Sequence, residues 1–535
     1  MQEENCCYIS YKDTGYFSKI AVDYIERKND LKPFFLHEIS EEGIENSIKA
    51  RADFSQQARA VLVKELQKQY AEMQTTSAVQ QNICLLKNEN TFTVTTAHQP
   101  NIFGGPLYVA YKILHTVKIA RELSKKYPDK NFVPVFYMGS EDADLEELNN
   151  ITVNGKKYVW QTKQTGAVGR MTTDKKLLAL IAEMQAQLGV EPFGNAWIQI
   201  LQTAYTEGKP IQQATFAFLN AVFGRFGLLI IIPDNAQLKK LFEPIILKEL
   251  KEQFSAKALQ QTVSALTEKN YPAQTEGRAL NLFYLLNDRR ERIEIENGLY
   301  VVRDLDLQFS EDEIIREVKN YPDRFSANVV LRGVFQETVL PNIIFVGGGG
   351  EVAYWLELKK VFEAANVPYP LILLRNSFLL INEKQRATID KLGISAEILF
   401  KKEYEILNEI LKNKQQTISL NQELNEIKSV YQSLKEKAIS ADITLAQHVE
   451  ALCSKACKRI EQLEKKIISA QRKKLSVEQN QVAKLKAALF PNNGLQERTE
   501  NIAGFYAKYG NKIFDDILEN SLTIEEKFAV VYLSN

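Results

Sequence analysis

Three loops of this chain gather residue types that do chemistry, and each lies between an apolar run and an amphipathic one. Residues 95–107 read TTAHQPNIFGGPL. His98 can donate to a phosphate or act as a general acid or base, since its ordinary pKa lies nearest neutrality. Gln99 and Asn101 add amide groups, and Gly104 and Gly105 let backbone come close to a ligand. A turn with a packed histidine is the purely structural alternative. Residues 139–148, GSEDADLEEL, bring Glu141, Asp142 and Asp144 together behind Ser140. Such carboxylates can hold an amine or Mg²⁺, or take a proton from a nucleophile. As helix caps they would serve only the next helix. Residues 345–362, FVGGGGEVAYWLELKKVF, set Gly347, Gly348, Gly349 and Gly350 ahead of Glu351. Four glycines cost conformational entropy that a plain connection does not require, so a loop held against a ligand is expected. The run is neither GxGxxG nor a Walker A motif. Arg332 and Gln336 upstream, and Arg375 downstream, are candidate anion binders.

The elements around these loops give them their place. TFTVTTA reads as a strand, residues 106–127 as a helix, and FVPVFYMGS as a buried strand, which together make a βαβ unit. GLLIIIP (227–233), NIIFVG (342–347) and PLILLR (370–375) read as further strands of the same kind. The expected fold is α/β, a doubly wound parallel-sheet core over residues 91–381 with an insertion around 151–225. In such sheets ligands bind beyond the C-terminal ends of the strands, where all three loops lie. A mostly helical segment, 1–90, packs on this core. Residues 382–486 lack proline and carry apolar residues at spacings of three and four, from Leu424 to Ala438 and from Leu445 to Ile467. They read as two long helices of an antiparallel coiled coil, turning at SADIT, with Cys453 and Cys457 packed in its seam. Residues 487–535 return to the core.

Composition excludes several classes. Sixty-seven basic residues balance sixty-seven acidic ones, so no global field favours nucleic acid or an anionic membrane. No apolar run approaches the roughly 20 residues that cross a bilayer, and the N-terminus does not read as a signal peptide. Five cysteines are too few for a disulfide framework and fit a reducing cytoplasm. Neither Cys6-Cys7 nor CSKAC has zinc-ligand spacing, and no metal site is expected.

The stretches HQPNIFGGPLYVAYK, VPVFYMGSEDADLEE, NLFYLL, FSANVVLRGVFQETVLPNIIFVGGGGEVAYWLELKKVFE and LFPNNGLQERTENIAGFYAKYG, in that order around a coiled coil, resemble one family: the cysteine-adding enzyme of bacillithiol biosynthesis. The resemblance implies a Rossmann-like core, a coiled coil that makes a homodimer, and adenine-nucleotide binding, with ATP or ADP and Mg²⁺ as cofactors. It further implies a ligase that joins cysteine to glucosaminyl-malate through an amide bond, the last step of the pathway. Candidate binding residues then include Lys112, Ser140, Tyr354, Trp355, Ser377, Gln496 and Arg498 besides those above. Family members often read SEDHD where this chain reads SEDAD, TGQQ where it reads TAHQ, and GGPGE where it reads GGGGE. Ala143 cannot replace a histidine base, which leaves His98 to supply that function from the neighbouring strand tip. Arg332 or Arg375 would pair with the malate carboxylates. Two other readings stand beside this one: a nucleotidyl transferase or amino-acid ligase of the same fold, and a coiled-coil scaffold with a degenerate nucleotide-binding domain.

Overall fold

The computed structural model describes residues 5–275, 277–414 and 418–534. Residues 1–4 of the N-terminal segment and 415–417 of the expected coiled-coil stretch lie outside it. The chain forms two compact units. One comprises the residues up to Leu379 with Gly494–Val531, the other Leu380–Asn493 with Tyr532–Ser534.

The first unit is built on five parallel strands: β1 (Thr91–His98), β2 (Asn131–Met138), β3 (Leu229–Ile231), β4 (Asn342–Gly347) and β5 (Leu371–Leu374). Their spatial order is β5-β4-β1-β2-β3. Both faces are covered, which is why β-branched and apolar residues run on almost without alternation. The threonines of β1 are tolerated at full burial because their hydroxyls are used. Thr91 donates to the Leu85 carbonyl at 2.7 Å and Thr96 to that of Val346 at 2.8 Å. The order reverses between β1 and β4. Loops leaving those two strands diverge there and open a crevice at the C-terminal edge.

Three helices position the site. α1 (Leu107–Lys126) crosses from β1 to β2, with Pro106 at its N-cap and Lys125 and Lys126 in its last turn, where cations suit the helix dipole. α2 (Val329–Val339) starts at Asn328, whose side chain accepts from Val330 and Leu331 N–H. α3 (Gly349–Ala365) crosses from β4 to β5.

The insertion after β2 opens with a hairpin, Asn150–Val153 against Lys156–Val159, closed by Asn154 and Gly155 at φ 50° and 79°. An Asn-Gly pair with both φ positive is the tight turn that matches strand twist. Helices Lys175–Leu188, Gly194–Ala204 and Ile211–Phe223 follow. A second excursion, between β3 and β4, contains short antiparallel strands that helical patterning did not foresee, among them Leu282–Leu286 paired with Arg289–Arg292.

In the second unit, Asn421–Ala441 and Leu445–Lys473 form an antiparallel helical hairpin turning at Asp442–Thr444, with Lys435 paired to Glu450 across it. Leu424 and Cys457 are buried. Leu434, Leu445, Leu452 and Leu463, expected inside the seam, are exposed. Two helices cover each other on one side only, so a wide apolar stripe leaves part of itself outside.

Candidate functional site

Two adjoining chambers open at the C-terminal edge of the sheet. The first, about 290 Å³, lies at the switch point between β1 and β4. His98 ends β1. Its Nδ1 is 3.2 Å from the Gln99 carbonyl and its Nε2 is 3.1 Å from the Tyr108 hydroxyl. A carbonyl only accepts, so Nδ1 carries the hydrogen and Nε2 accepts from Tyr108. Burial, then the nearby Lys112 cation, brings the His98 pKa down to about 4, and the ring is neutral at physiological pH. Burial and the carboxylates of Glu147 and Glu351 push Tyr108 up to about 12.

Lys112 turns back from α1 to donate to the Ala97 carbonyl at 2.9 Å and pairs with Glu351. Glu351 also accepts the Gly348 N–H at 2.7 Å, so this ion pair ties the tips of β1 and β4 together. Burial works to lower Lys112 and to raise Glu351. Each opposes that on the other, and Glu351 ends below its usual value. At the end of β5, Arg375 is held by Glu497 at 2.6 and 3.0 Å and donates to Ser377 Oγ at 2.8 Å. Arg498, exposed, closes the rim.

The second chamber, about 390 Å³, lies over the tip of β2. Ser140, Glu141 and Asp142 meet Arg290 and Arg332 there, with Arg278 also on its lining. Glu141 points inward to Lys239, which also reaches Asp234 at 3.2 Å, and Arg170 clasps Asp234 at 2.6 and 2.7 Å. Burial raises Glu141 despite the lysine. Asp142 accepts from Gln99 Nε2 at 3.1 Å, Arg332 at 3.4 Å and the Ala143 N–H at 2.9 Å. Burial opposes its ionisation, but Arg332 and Arg290 prevail and hold it below the usual range. Gln99 and Arg332 line both chambers, so Asp142 with these two partners marks their meeting point.

Several candidates are separated from this constellation. The three carboxylates diverge, because successive residues of a tight turn face different ways, and Asp144 is exposed outside both chambers. Gly104 and Gly105, at φ 86° and 66°, make room for packing rather than for a ligand. A Cβ on either would sit 2.8 Å from Phe218 or Asn101. Asn101 is itself buried beneath them. Gln336 donates at 2.8 Å to Glu337, the buried partner of Arg51, and Trp355 stacks on Phe345 at 4.3 Å. A Cβ at Gly347 would meet the Phe345 ring at 2.9 Å. Ser377 and Gln496 are buried and line neither chamber. Gly348, Gly349, Gly350, Glu351 and Tyr354 do line the first chamber.

Sequence reading overlooked Tyr108, Glu147, Arg278, Arg290, Lys239 and Glu497. Tyr108 lies in the first turn of α1, a signal that was open to view. Glu497 stands between two residues that were selected, Gln496 and Arg498. Lys239 carried no signal for the site, since Glu141, its partner there, is about one hundred residues away. Among the described residues no group of three or more His, Cys, Asp or Glu is arranged to hold a metal ion, and no helix is long and apolar enough to cross a membrane.

Comparison with known families decides the affiliation. Residues 5–376 match the family described as bacillithiol biosynthesis BshC, N-terminal Rossmann-like domain, and residues 378–533 match the BshC C-terminal coiled-coil domain. The chain belongs to the BshC family. A BshC relative from Flavobacterium johnsoniae is 40% identical over 98% of this chain and 99% of its own, and one from Flavobacterium psychrophilum is 38% identical over 98% of both. A more distant BshC relative from Bacillus cytotoxicus is 27% identical over 96% of this chain and 98% of its own. Each bears the name "Putative cysteine ligase BshC". The Rossmann-like core and the coiled coil expected from the resemblance are those of this family, which acts in bacillithiol biosynthesis.

Proposed function

We propose that the chain is a cytoplasmic ligase that joins the carboxyl group of cysteine to the amine of glucosaminyl-malate. The observation that carries this reading is the pair of chambers meeting at Gln99, Asp142 and Arg332. Amide formation needs two substrates whose reacting ends meet in one place, with a carboxylate near the amine and cations near the acids. Asp142 would hold the substrate ammonium, and Arg278, Arg290 and Arg332 are the guanidinium groups that suit malate carboxylates. Arg375, a candidate for that role from sequence, is already engaged by Glu497.

A free carboxylate does not acylate an amine without activation, so an adenine nucleotide with Mg²⁺ belongs to the reading. The first chamber fits such a group. The N-terminus of α3 faces it, a Cβ on Gly350 would meet nothing within 4 Å, and Arg332 and Arg498 supply positive charge. A nucleotide bound there would supply carboxyl activation. The protein's own part is to orient the amine. Tyr108 donates to His98 Nε2, which fixes the hydroxyl and leaves the Tyr108 oxygen free to accept from the amine N–H. The exposed leucines of the helical hairpin support a homodimer through the second unit.

The test is to incubate purified protein with cysteine and glucosaminyl-malate, with and without Mg-ATP, and follow product mass. Bacillithiol formed only with ATP is the expected result. No product with any nucleotide would overturn the reading.

A further inference from the structure

Gly348 has φ −74° and ψ 170°, a conformation open to any residue, so its backbone gives no reason for glycine. The reason lies above it. A Cβ there would stand 3.4 Å from Glu351 Oε2 and 3.7 Å from Arg375 Nε, with no third atom beyond its chain neighbours within 4 Å. Arg375 is 3% exposed, and its Nε–H is buried without a partner, although both terminal nitrogens of the same guanidinium are bound to Glu497. A buried donor left unpaired on a guanidinium whose two terminal nitrogens are both bound marks a place where something else accepts.

Charge decides what that is. Glu497 balances Arg375, and Lys112 balances Glu351, so the position carries little net charge. An anion would meet the Glu351 carboxylate and a cation would meet Arg375. A hydroxyl satisfies both, accepting from Arg375 Nε–H and donating to Glu351. The Glu351 side chain is 22% exposed, so lone pairs remain available to the cleft.

We propose that the space over Gly348, between Arg375 Nε and the Glu351 carboxylate, seats a sugar hydroxyl of a substrate. This rests on the ligase reading, which offers two sources, the glucosamine ring and the ribose of a nucleotide. Calorimetric titration of the full chain with ADP and 2′,3′-dideoxy-ADP, and with glucosaminyl-malate and its 3-, 4- and 6-deoxy analogues, tells them apart. In the wild type, one parent compound binds about tenfold or more tighter than its deoxy analogue, as expected for one lost hydrogen bond to charged groups. Gly348→Ala sets a methyl at ordinary contact distance from both groups. It should melt as the wild type does, bind that parent about tenfold more weakly, and no longer distinguish it from the deoxy analogue. The proposal fails if a normally melting Gly348→Ala protein binds both parents as the wild type does, if no deoxy analogue loses affinity, or if neither parent binds the wild type. Product formation by the wild type is scored separately. If product forms while any of these failures occurs, the ligase reading stands and the hydroxyl seat alone falls.

Discussion

Glu497→Gln isolates the interaction that holds the β5 tip in place. The Glu497 side chain is 0% exposed and that of Arg375 is 4% exposed, so neither charge has water to fall back on. Glu497 accepts from both terminal nitrogens of Arg375, from Ser377 Oγ at 3.3 Å and from the Phe378 N–H at 3.4 Å. The amide keeps the shape but turns one acceptor into a donor facing a guanidinium, leaving a buried cation uncompensated. Breaking a buried pair from one side costs about 3–5 kcal/mol, where an exposed pair would cost about 1 kcal/mol or less. In urea this is a midpoint shift on the order of 1 M. Tryptophan fluorescence reads it cleanly, because Trp160, Trp197 and Trp355 are all buried and all in the first unit. Replacing both partners by apolar residues, Arg375→Met with Glu497→Leu, should recover much of the loss, since no charge is then stranded. A single variant within about 1 kcal/mol of wild type would refute the reasoning.

Asp142→Asn should abolish product formation while leaving the urea midpoint nearly unchanged, because Asp142 and Arg332 are each about a quarter exposed and an isolated pair of that kind contributes about 1 kcal/mol or less; full activity would remove Asp142 from the mechanism. Burial brings His115 down to about 4 from an ordinary 6.5, so the unfolded chain binds the proton more readily, and stability is lost as pH falls from about 6.5 to about 4. Gln can replace both contacts of His115, accepting from the Asn376 N–H and donating to the Thr523 carbonyl. His115→Gln should therefore lose less stability than wild type between pH 7 and pH 5, by about 2 kcal/mol, and parallel pH profiles would contradict this. Leu452→Lys on the exposed face of the helical hairpin should turn a sedimenting dimer into a monomer without changing its helical circular dichroism; a wild-type monomer at micromolar concentration would dispose of the dimer.

The three loops were legible because their signals are local. Strands buried on both faces must be continuously apolar or β-branched, and the loop after each is where such a sheet leaves backbone groups free. That placed His98, Gln99, Glu141, Asp142 and the Gly348–Glu351 stretch at the C-terminal edge of the sheet, where the two chambers open. What misled was glycine, whose freedom has two uses. Gly104 and Gly105 allow Phe218 and Asn101 to pack, whereas a Cβ at Gly348 would meet Glu351 and Arg375 only at ordinary contact distance, and sequence does not separate the two cases. Carboxylates misled in a similar way. SEDAD looks like one cluster, yet Glu141 turns to Lys239, Asp142 to Arg332 and Asp144 to solvent.

By itself the sequence determined the parallel strands, the helices that cross between them, the helical hairpin and the family, because periodicity, turn residues and motif order act over tens of residues. Tertiary structure decided which side chains share a chamber. Arg375 with Glu497, and Glu141 with Lys239, are each about one hundred residues apart or more, and only the folded chain brings them into hydrogen-bond range. Their pairing also sets which charges remain for a substrate, since a buried ion takes the partner that the fold supplies.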